Sequence, residues 1–118
     1  MPTLNRAIVI GHAGRAPELR YTPNGKAVCD FSVATNRKSG ETTETEWHSV
    51  VVWDKQAEFL DKHLTKGGLV YVEGRLQTRT WDDKEGQKRS NTEIIADRVL
   101  LLDRKTAEDG VEAEALPW

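Results

Sequence analysis

The chain has 118 residues, of which 37% are hydrophobic and 31% are charged, and this balance predicts one small domain. No apolar run approaches the roughly 20 residues of a membrane-spanning helix, and no export signal is visible, so we expect a cytoplasmic protein with no membrane segment. Residues 1–105 carry all 17 lysines and arginines, whereas residues 106–118 carry only acids among their charges. The sequence therefore predicts a folded domain over residues 1–105 and a short disordered acidic tail over residues 106–118 that contacts other proteins.

The first predicted element is a strand over residues 5–11, closed by the glycine-rich turn GHAG. The Asn-Gly pair in TPNGK predicts a tight hairpin turn. Residues 27–35 alternate between apolar and mixed positions and are predicted to form a strand. The polar, glycine-containing residues 36–45 are predicted to be a loop, and residues 46–53 the next strand.

One helix is predicted next, because Ala57, Leu60 and Leu64 recur at helical spacing, with Asp54 as N-cap and Gly67 as C′ residue. Strands over residues 69–81 and 92–102 follow. This order predicts an all-β fold, a five-stranded oligonucleotide/oligosaccharide-binding (OB) barrel with one helix between strands 3 and 4. SH3-like barrels are the alternative, but they rarely contain a full helix before the fourth strand.

Tryptophans and cations fall on the same predicted strand faces. Trp47 and Trp53 are six positions apart and share a face, whereas Val50 and Val52 point to the other side, into the core. In the strand over residues 69–81, even positions are small or apolar and are predicted to line the barrel interior. The odd positions present the cationic and aromatic side chains Arg75, Arg79 and Trp81.

Aromatic side chains interleaved with cations are typical of proteins that bind single-stranded nucleic acid, because unpaired bases stack on aromatic rings while cations neutralise phosphates. A strand tryptophan alone is more often part of a core or a protein interface. The combination predicts base stacking on Trp47, Trp53 and Trp81. The predicted phosphate contacts are Arg37, Lys38, Arg75, Arg79, Lys84, Lys88 and Arg89.

Other motifs do not support a different function. GHAG matches the backbone clamp of KH domains, but a strand precedes it here instead of a helix. DDKEG has too few carboxylates for an EF-hand loop. Cys29 has no evident histidine partner, and no acid–base pair is persuasive. We therefore predict a protein that is not an enzyme and binds neither a metal nor a cofactor.

The runs PELRYTPNG, TEWH, VYVEGRL and TRTW resemble the bacterial single-stranded DNA-binding protein family and its mitochondrial relatives, and the likeness extends over residues 4–103. The resemblance implies an OB barrel that assembles as a homotetramer and binds single-stranded DNA without sequence preference. It implies that Trp47, Trp53 and Trp81 stack on bases, with Trp53 standing where the family commonly has phenylalanine. It also implies that His48 supports subunit assembly.

The end of the chain resembles the tip with which this family recruits replication, recombination and repair proteins. Leu116, Pro117 and Trp118 are the predicted docking residues, although Trp118 replaces the family's phenylalanine and the acids are more scattered. Residues 36–46 lack the family's further stacking tryptophan, and the usual long linker before the tail is missing. Two alternatives stay open, namely an OB-fold primosome or adaptor protein that binds mainly proteins, and an RNA-binding OB or cold-shock-type protein.

Overall fold

The computed structural model of the chain describes residues 2–102, which form six strands and one helix. In chain order these are β1 (Ala7–Ala13), β2 (Glu18–Tyr21), β3 (Ala27–Ser39), β4 (Thr42–Trp53), α1 (Asp54–His63), β5 (Leu69–Asp82) and β6 (Lys88–Leu101). Each predicted strand is present, with bounds that differ by a few residues. The four-residue strand β2, just before the TPNGK turn, was not predicted.

Five of the strands close into a barrel in the order β1-β5-β6-β4-β3, and β3 pairs again with β1. The pairing of β4 with β6 is parallel, and the other pairings are antiparallel. The short β2 pairs only with β3 and lies outside this ring. The predicted five-stranded OB barrel with one helix is thus confirmed, the helix following β4.

Gly11 permits the closure of the barrel. Strand β1 pairs with β5 up to His12 and with β3 from His12 onward, so its backbone must pass very close to β3 at this point. A Cβ atom on Gly11 would lie 2.2 Å from the backbone oxygen of Ala34. Only a residue without a side chain can make this approach.

The core fills the barrel and extends beneath the helix. Val50 and Val52 of β4 and Val70 and Val72 of β5 are fully buried, as their even positions predict. Helix α1 buries Ala57 and Leu60, and Leu64 just beyond it is also buried, which confirms the helical spacing. A smaller cluster beside the helix is formed by Ala27, Cys29 and Ala57. Burial is the main cause that raises the pKa of the Cys29 thiol to about 11, so this cysteine is a poor nucleophile.

The predicted ends of the helix are wrong. Trp53 occupies the N-cap position with no side-chain cap, and Asp54 has a positive φ of 62° at the start of the helix. At the other end, the N–H of Leu64 still bonds the oxygen of Leu60, and Leu64 itself is extended. Gly67 therefore lies beyond the C′ position, in the following turn. The backbone turns sharply between β4 and the helix that covers the barrel, and Asp54 takes its positive φ at this turn. The tertiary fold thus determines the start of the helix, although the local sequence favours Asp54 as N-cap.

The predicted loop over residues 36–45 is wrong as well. β3 and β4 continue through this segment as an antiparallel ribbon with a tight turn between Ser39 and Thr42, where Gly40 has a φ of 63°. Both faces of the ribbon are open to solvent, so its polar composition is compatible with strands. Side chains also pair across it, as Thr45 donates to the amide oxygen of Asn36 at 2.8 Å.

The predicted interior face of β5 ends at Gly74. Beyond this residue β5 leaves β1 and continues with β6 as a second ribbon that projects from the barrel. Within residues 2–102 no strand other than β6 pairs with this part of β5, and Leu76 is 47% exposed although its even position predicts burial. The two ribbons, β3–β4 and β5–β6, extend the outer surface on which the predicted site residues lie.

We expect Gly11→Ala to lower the free energy of unfolding by about 1–3 kcal/mol, because the added methyl overlaps the backbone of β3. Urea denaturation followed by circular dichroism measures this change. Thr43→Ala, at an exposed position of β4, is the control and should change it by less than about 0.5 kcal/mol. Unchanged stability of Gly11→Ala would contradict this explanation of barrel closure.

Candidate nucleic-acid interface

Trp47 and Trp53 lie on the outer face of β4, as their spacing predicts. Their side chains are 59% and 37% exposed, whereas Val50 and Val52 between them point inward and are fully buried. Six residues of extended strand place the two rings about 20 Å apart along β4. The packed inner face of the strand thus holds two aromatic rings toward solvent.

Gly14 and Ser32 form a seat for the ring of Trp47. A Cβ atom on Gly14 would lie 2.3 Å from the ring carbon Cζ3 of Trp47 and 2.8 Å from the Ser32 hydroxyl. One side of the indole therefore rests on the segment that follows β1, while much of the ring stays accessible. Arg15 lines the same depression. Neither Gly14 nor Arg15 was predicted, because no local pattern shows that the end of β1 meets β4.

Trp53 borders an open groove of about 460 Å³ on the outer surface of the barrel. Arg75 and Arg79 of β5 line this groove together with Trp53, so the structure brings these three predicted residues to one place. Arg20 of β2 also lines it and was missed by sequence reasoning. Its guanidinium bonds the carboxylate of Asp30 at 2.8 Å, which fixes it at the groove wall.

Trp81 lies near the end of β5, on the projecting β5–β6 ribbon. Its ring is 46% exposed, and the guanidinium carbon of Arg79 lies 5.8 Å from the ring centroid. This separation is within the range of a cation–π contact. Arg79 connects the two aromatic positions, since it lines the groove of Trp53 and also contacts Trp81.

The predicted cations divide into paired and unpaired groups. Arg37 pairs with Glu44 at 2.6 Å, Arg79 with Glu93 at 3.4 Å and Arg89 with Asp83 at 2.9 Å. Within residues 2–102 no ion pair involves the remaining predicted cations, which are Lys38, Arg75, Lys84 and Lys88.

Asp83 organises the turn of the β5–β6 ribbon. Its carboxylate accepts hydrogen bonds from the backbone N–H groups of Glu85 and Gln87 and from the side chain of Arg89. The bond from Gln87, followed by that from Arg89, lowers the pKa of Asp83. Arg89 is thereby held against the turn, while Lys84 and Lys88 stay open to solvent.

His48 lies on the opposite face of β4 from Trp47 and Trp53 and is half-buried. Its Nε2 atom lies 2.9 Å from the hydroxyl oxygen of Thr35. It lines a shallow depression that also contains the exposed apolar residues Ile8 and Leu76. Trp47 also lines this depression, so His48 lies close to one of the two exposed indoles of β4.

Comparison with known proteins identifies the family. A family model described as the single-strand binding protein family matches residues 4–102. The chain belongs to the single-strand binding protein family. This membership agrees with the expectation that the chain is a binding protein and not an enzyme.

Two curated members of this family, the single-stranded DNA-binding proteins of Neisseria meningitidis serogroup A strain Z2491 and serogroup B strain MC58, are each 45% identical over 113 residues. The match covers 92% of this chain but only 65% of each relative's length. A solved structure titled Plasmodium falciparum SSB complex with ssDNA has a TM-score of 0.80 and 35% identity, covering 87% of this chain and 98% of that one.

Some predictions fall outside what the structure describes. The tail over residues 106–118, with Leu116, Pro117 and Trp118, lies beyond residues 2–102. Within the described range, no helix is long and apolar enough to span a membrane. No group of three or more metal-ligating side chains is found in the same range.

We expect Gly14→Ala to displace the ring of Trp47, because a methyl group would overlap the indole. The tryptophan emission and its quenching by acrylamide should then differ from the wild type in the free protein. The same substitution in a Trp47→Phe background is the control and should leave the remaining emission unchanged. Equal effects in both backgrounds would show that Gly14 does not seat Trp47.

Proposed function

We propose that this protein binds single-stranded DNA without sequence preference, by base stacking on Trp47, Trp53 and Trp81. The observation that carries the proposal is the continuity of the outer surface. The exposed rings of Trp47 and Trp53 share one face of β4, and Arg79 links the groove of Trp53 to Trp81. The family match and the solved relative whose title names a complex with ssDNA support this function.

Single-stranded nucleic acid fits this surface better than a duplex does. Aromatic rings exposed along a strand can stack only on bases whose faces are free, and a duplex hides those faces. A major-groove reader usually presents a basic helix. The only helix within residues 2–102 begins directly after Trp53 and is not basic, because its three acidic side chains outnumber its two lysines. The spacing of about 20 Å between Trp47 and Trp53 requires several nucleotides between the two stacking sites.

Phosphate contacts are proposed for the cations around these rings. Arg75 in the groove and Lys38, Lys84 and Lys88 on the two ribbons have no competing carboxylate within residues 2–102. Arg37 and Arg89 must exchange Glu44 and Asp83 for a phosphate, so each should contribute less net affinity. Arg15 and Arg20 are added as further candidates by their position beside Trp47 and Trp53. Arg20 should also contribute less net affinity, because it pairs with Asp30 at 2.8 Å.

A homotetramer is the proposed assembly. Ile8 and Ile10 on the outer face of β1 are 55% and 41% exposed, and Leu76 on β5 is similarly open. Exposed apolar side chains are typical of a protein interface, and Ile8 and Leu76 line one depression. The position of His48 beside Ile8 and Leu76 supports its proposed role at the contact between subunits.

The remaining proposals concern the tail and the cell. We propose residues 1–105 as the DNA-binding domain and residues 106–118 as a docking tail, with Leu116, Pro117 and Trp118 entering a basic, apolar pocket of a partner. Its partners would act in replication, recombination and repair in the cytoplasm. The acidic residues and the aromatic terminus of the sequence support this proposal.

A titration with three labelled oligomers of equal length tests the function directly. Fluorescence anisotropy should show tight binding of single-stranded (dT) and weak binding of the duplex. A matched RNA strand separates DNA binding from the RNA-binding alternative. No binding of (dT) at low salt would refute the proposal and favour an adaptor that binds mainly proteins.

We expect Trp47→Ala, Trp53→Ala and Trp81→Ala each to weaken (dT) binding by about 1–3 kcal/mol, or roughly 5- to 150-fold, because each removes one stacking ring. Phe59→Leu, which removes an aromatic ring from helix α1, is the matched control and should leave the affinity within about twofold. A tryptophan variant that binds as well as the wild type would remove that residue from the stacking set.

Light scattering should give a molar mass four times that of the 13.3 kDa chain. Ile10→Glu should reduce this mass, because it places a charge on the proposed subunit contact. Thr43→Glu introduces the same charge on the exposed β3–β4 ribbon and should leave the mass unchanged. A monomeric wild type at micromolar concentration would contradict the proposed assembly.

A further inference from the structure

Arg75 and Arg79 form a natural pair for comparison, because they lie four residues apart on the same face of β5 and both line the groove of Trp53. Their surroundings differ. No ion pair within residues 2–102 involves Arg75. Arg79 contacts both Glu93 and Trp81. These different surroundings indicate that the two arginines have different roles.

Arg79 forms an ion pair with Glu93. The Glu93 side chain is only 11% exposed, and its Oε2 atom lies 3.4 Å from Nη2 of Arg79. A carboxylate that is largely removed from water is stabilised by a cationic partner, and taking this partner away leaves an uncompensated charge. A phosphate that drew Arg79 out of the groove would impose this cost. Arg75 has no carboxylate partner within residues 2–102, so a phosphate could bind it without this cost.

The same guanidinium lies over the ring of Trp81, with its carbon atom 5.8 Å from the ring centroid. The guanidinium is planar and can lie over an aromatic ring, which a lysine ammonium does less well. Glu93 on β6 pairs with Arg79, and Arg79 in turn contacts the indole on the projecting ribbon. Within residues 2–102, β5 has no buried residue after Gly74, because the ribbon lies outside the barrel.

We infer that Arg79 is a positioning residue that holds Trp81 in place for base stacking, and that it is not a phosphate ligand. This inference rests on the proposed binding of single-stranded DNA. It revises the sequence prediction that Arg79 contacts phosphate and leaves that role to Arg75. The sequence Arg-x-x-x-Arg on one strand face thus contains two arginines with different functions.

The first test compares salt dependence of (dT) binding in Arg75→Met and Arg79→Met. A phosphate contact on a single strand contributes about 0.7 to the slope of log K against log salt. Arg75→Met should lower the slope by about this amount. Arg79→Met should weaken binding several-fold at every salt concentration and leave the slope unchanged.

Conservative variants provide a second test. Arg75→Lys should keep the slope of the wild type, because a lysine can still meet a phosphate. Arg79→Lys keeps the charge but loses the planar group, so its affinity should stay close to that of Arg79→Met. Full recovery by Arg79→Lys, together with a slope loss of about 0.7 in Arg79→Met, would overturn the inference and make Arg79 a phosphate ligand.

A third measurement needs no DNA and isolates Trp81. Arg79→Met should increase quenching of tryptophan emission by acrylamide in the free protein, whereas Arg75→Met should not. In a Trp81→Phe background Arg79→Met should have no effect, and an equal effect there would overturn the inference. If the wild type does not bind (dT), the proposed function fails, and this measurement still decides whether Arg79 restrains Trp81.

Discussion

The register of β4 is the constraint on which the candidate site depends. Val50 and Val52 are fully buried in the barrel, so the strand cannot slip by one residue without exposing them and burying Trp47 and Trp53. Hydrophobic burial on the inner face therefore fixes the direction of the indoles on the outer face. The two exposed indoles need no dedicated scaffold, because the packing that forms the barrel also presents them to solvent.

Beyond the barrel, different interactions must hold the site together. In the part of the chain that the structure describes, no hydrophobic layer lies beneath the outer parts of the β3–β4 and β5–β6 ribbons. Polar side chains supplement the cross-strand backbone hydrogen bonds there. Asp83 ties Arg89 and two backbone N–H groups into the β5–β6 turn. The pairing of several arginines with carboxylates also reduces the repulsion between like charges on this surface. The unpaired lysines and Arg75 are then the cations most available to phosphates.

The sequence predicts those features that depend on local periodicity. Alternation of apolar residues placed Val50, Val52, Val70 and Val72 inside, and helical spacing placed Ala57 and Leu60 under the helix. The ribbon over residues 36–45 was mistaken for a loop, because a two-stranded ribbon in water has no buried face and hence no hydrophobic pattern. Leu76 was misplaced for a related reason, since the alternation of a strand does not show where its neighbouring strand ends.

Contacts between distant segments could not be predicted. The contact between Gly14 and the ring of Trp47 brings the end of β1 against β4. Arg20 lines the groove from β2, a strand that the sequence does not predict. The environment of Arg79 is of the same kind, because Glu93 lies 14 residues away on another strand. The residue types predict a surface of aromatic rings and cations, but only the fold shows which cations already pair with a carboxylate.

The proposed binding of nucleic acid depends on aromatic stacking and not on charge alone. A comparison of (dT) with an abasic oligomer of the same length, which keeps the phosphates and sugars but has no bases, tests this dependence. We expect (dT) to quench the tryptophan emission and to bind much more tightly, whereas the abasic strand should bind weakly and leave the emission unchanged. Equal affinity for the two strands would contradict it, because binding would then depend on phosphate contacts alone.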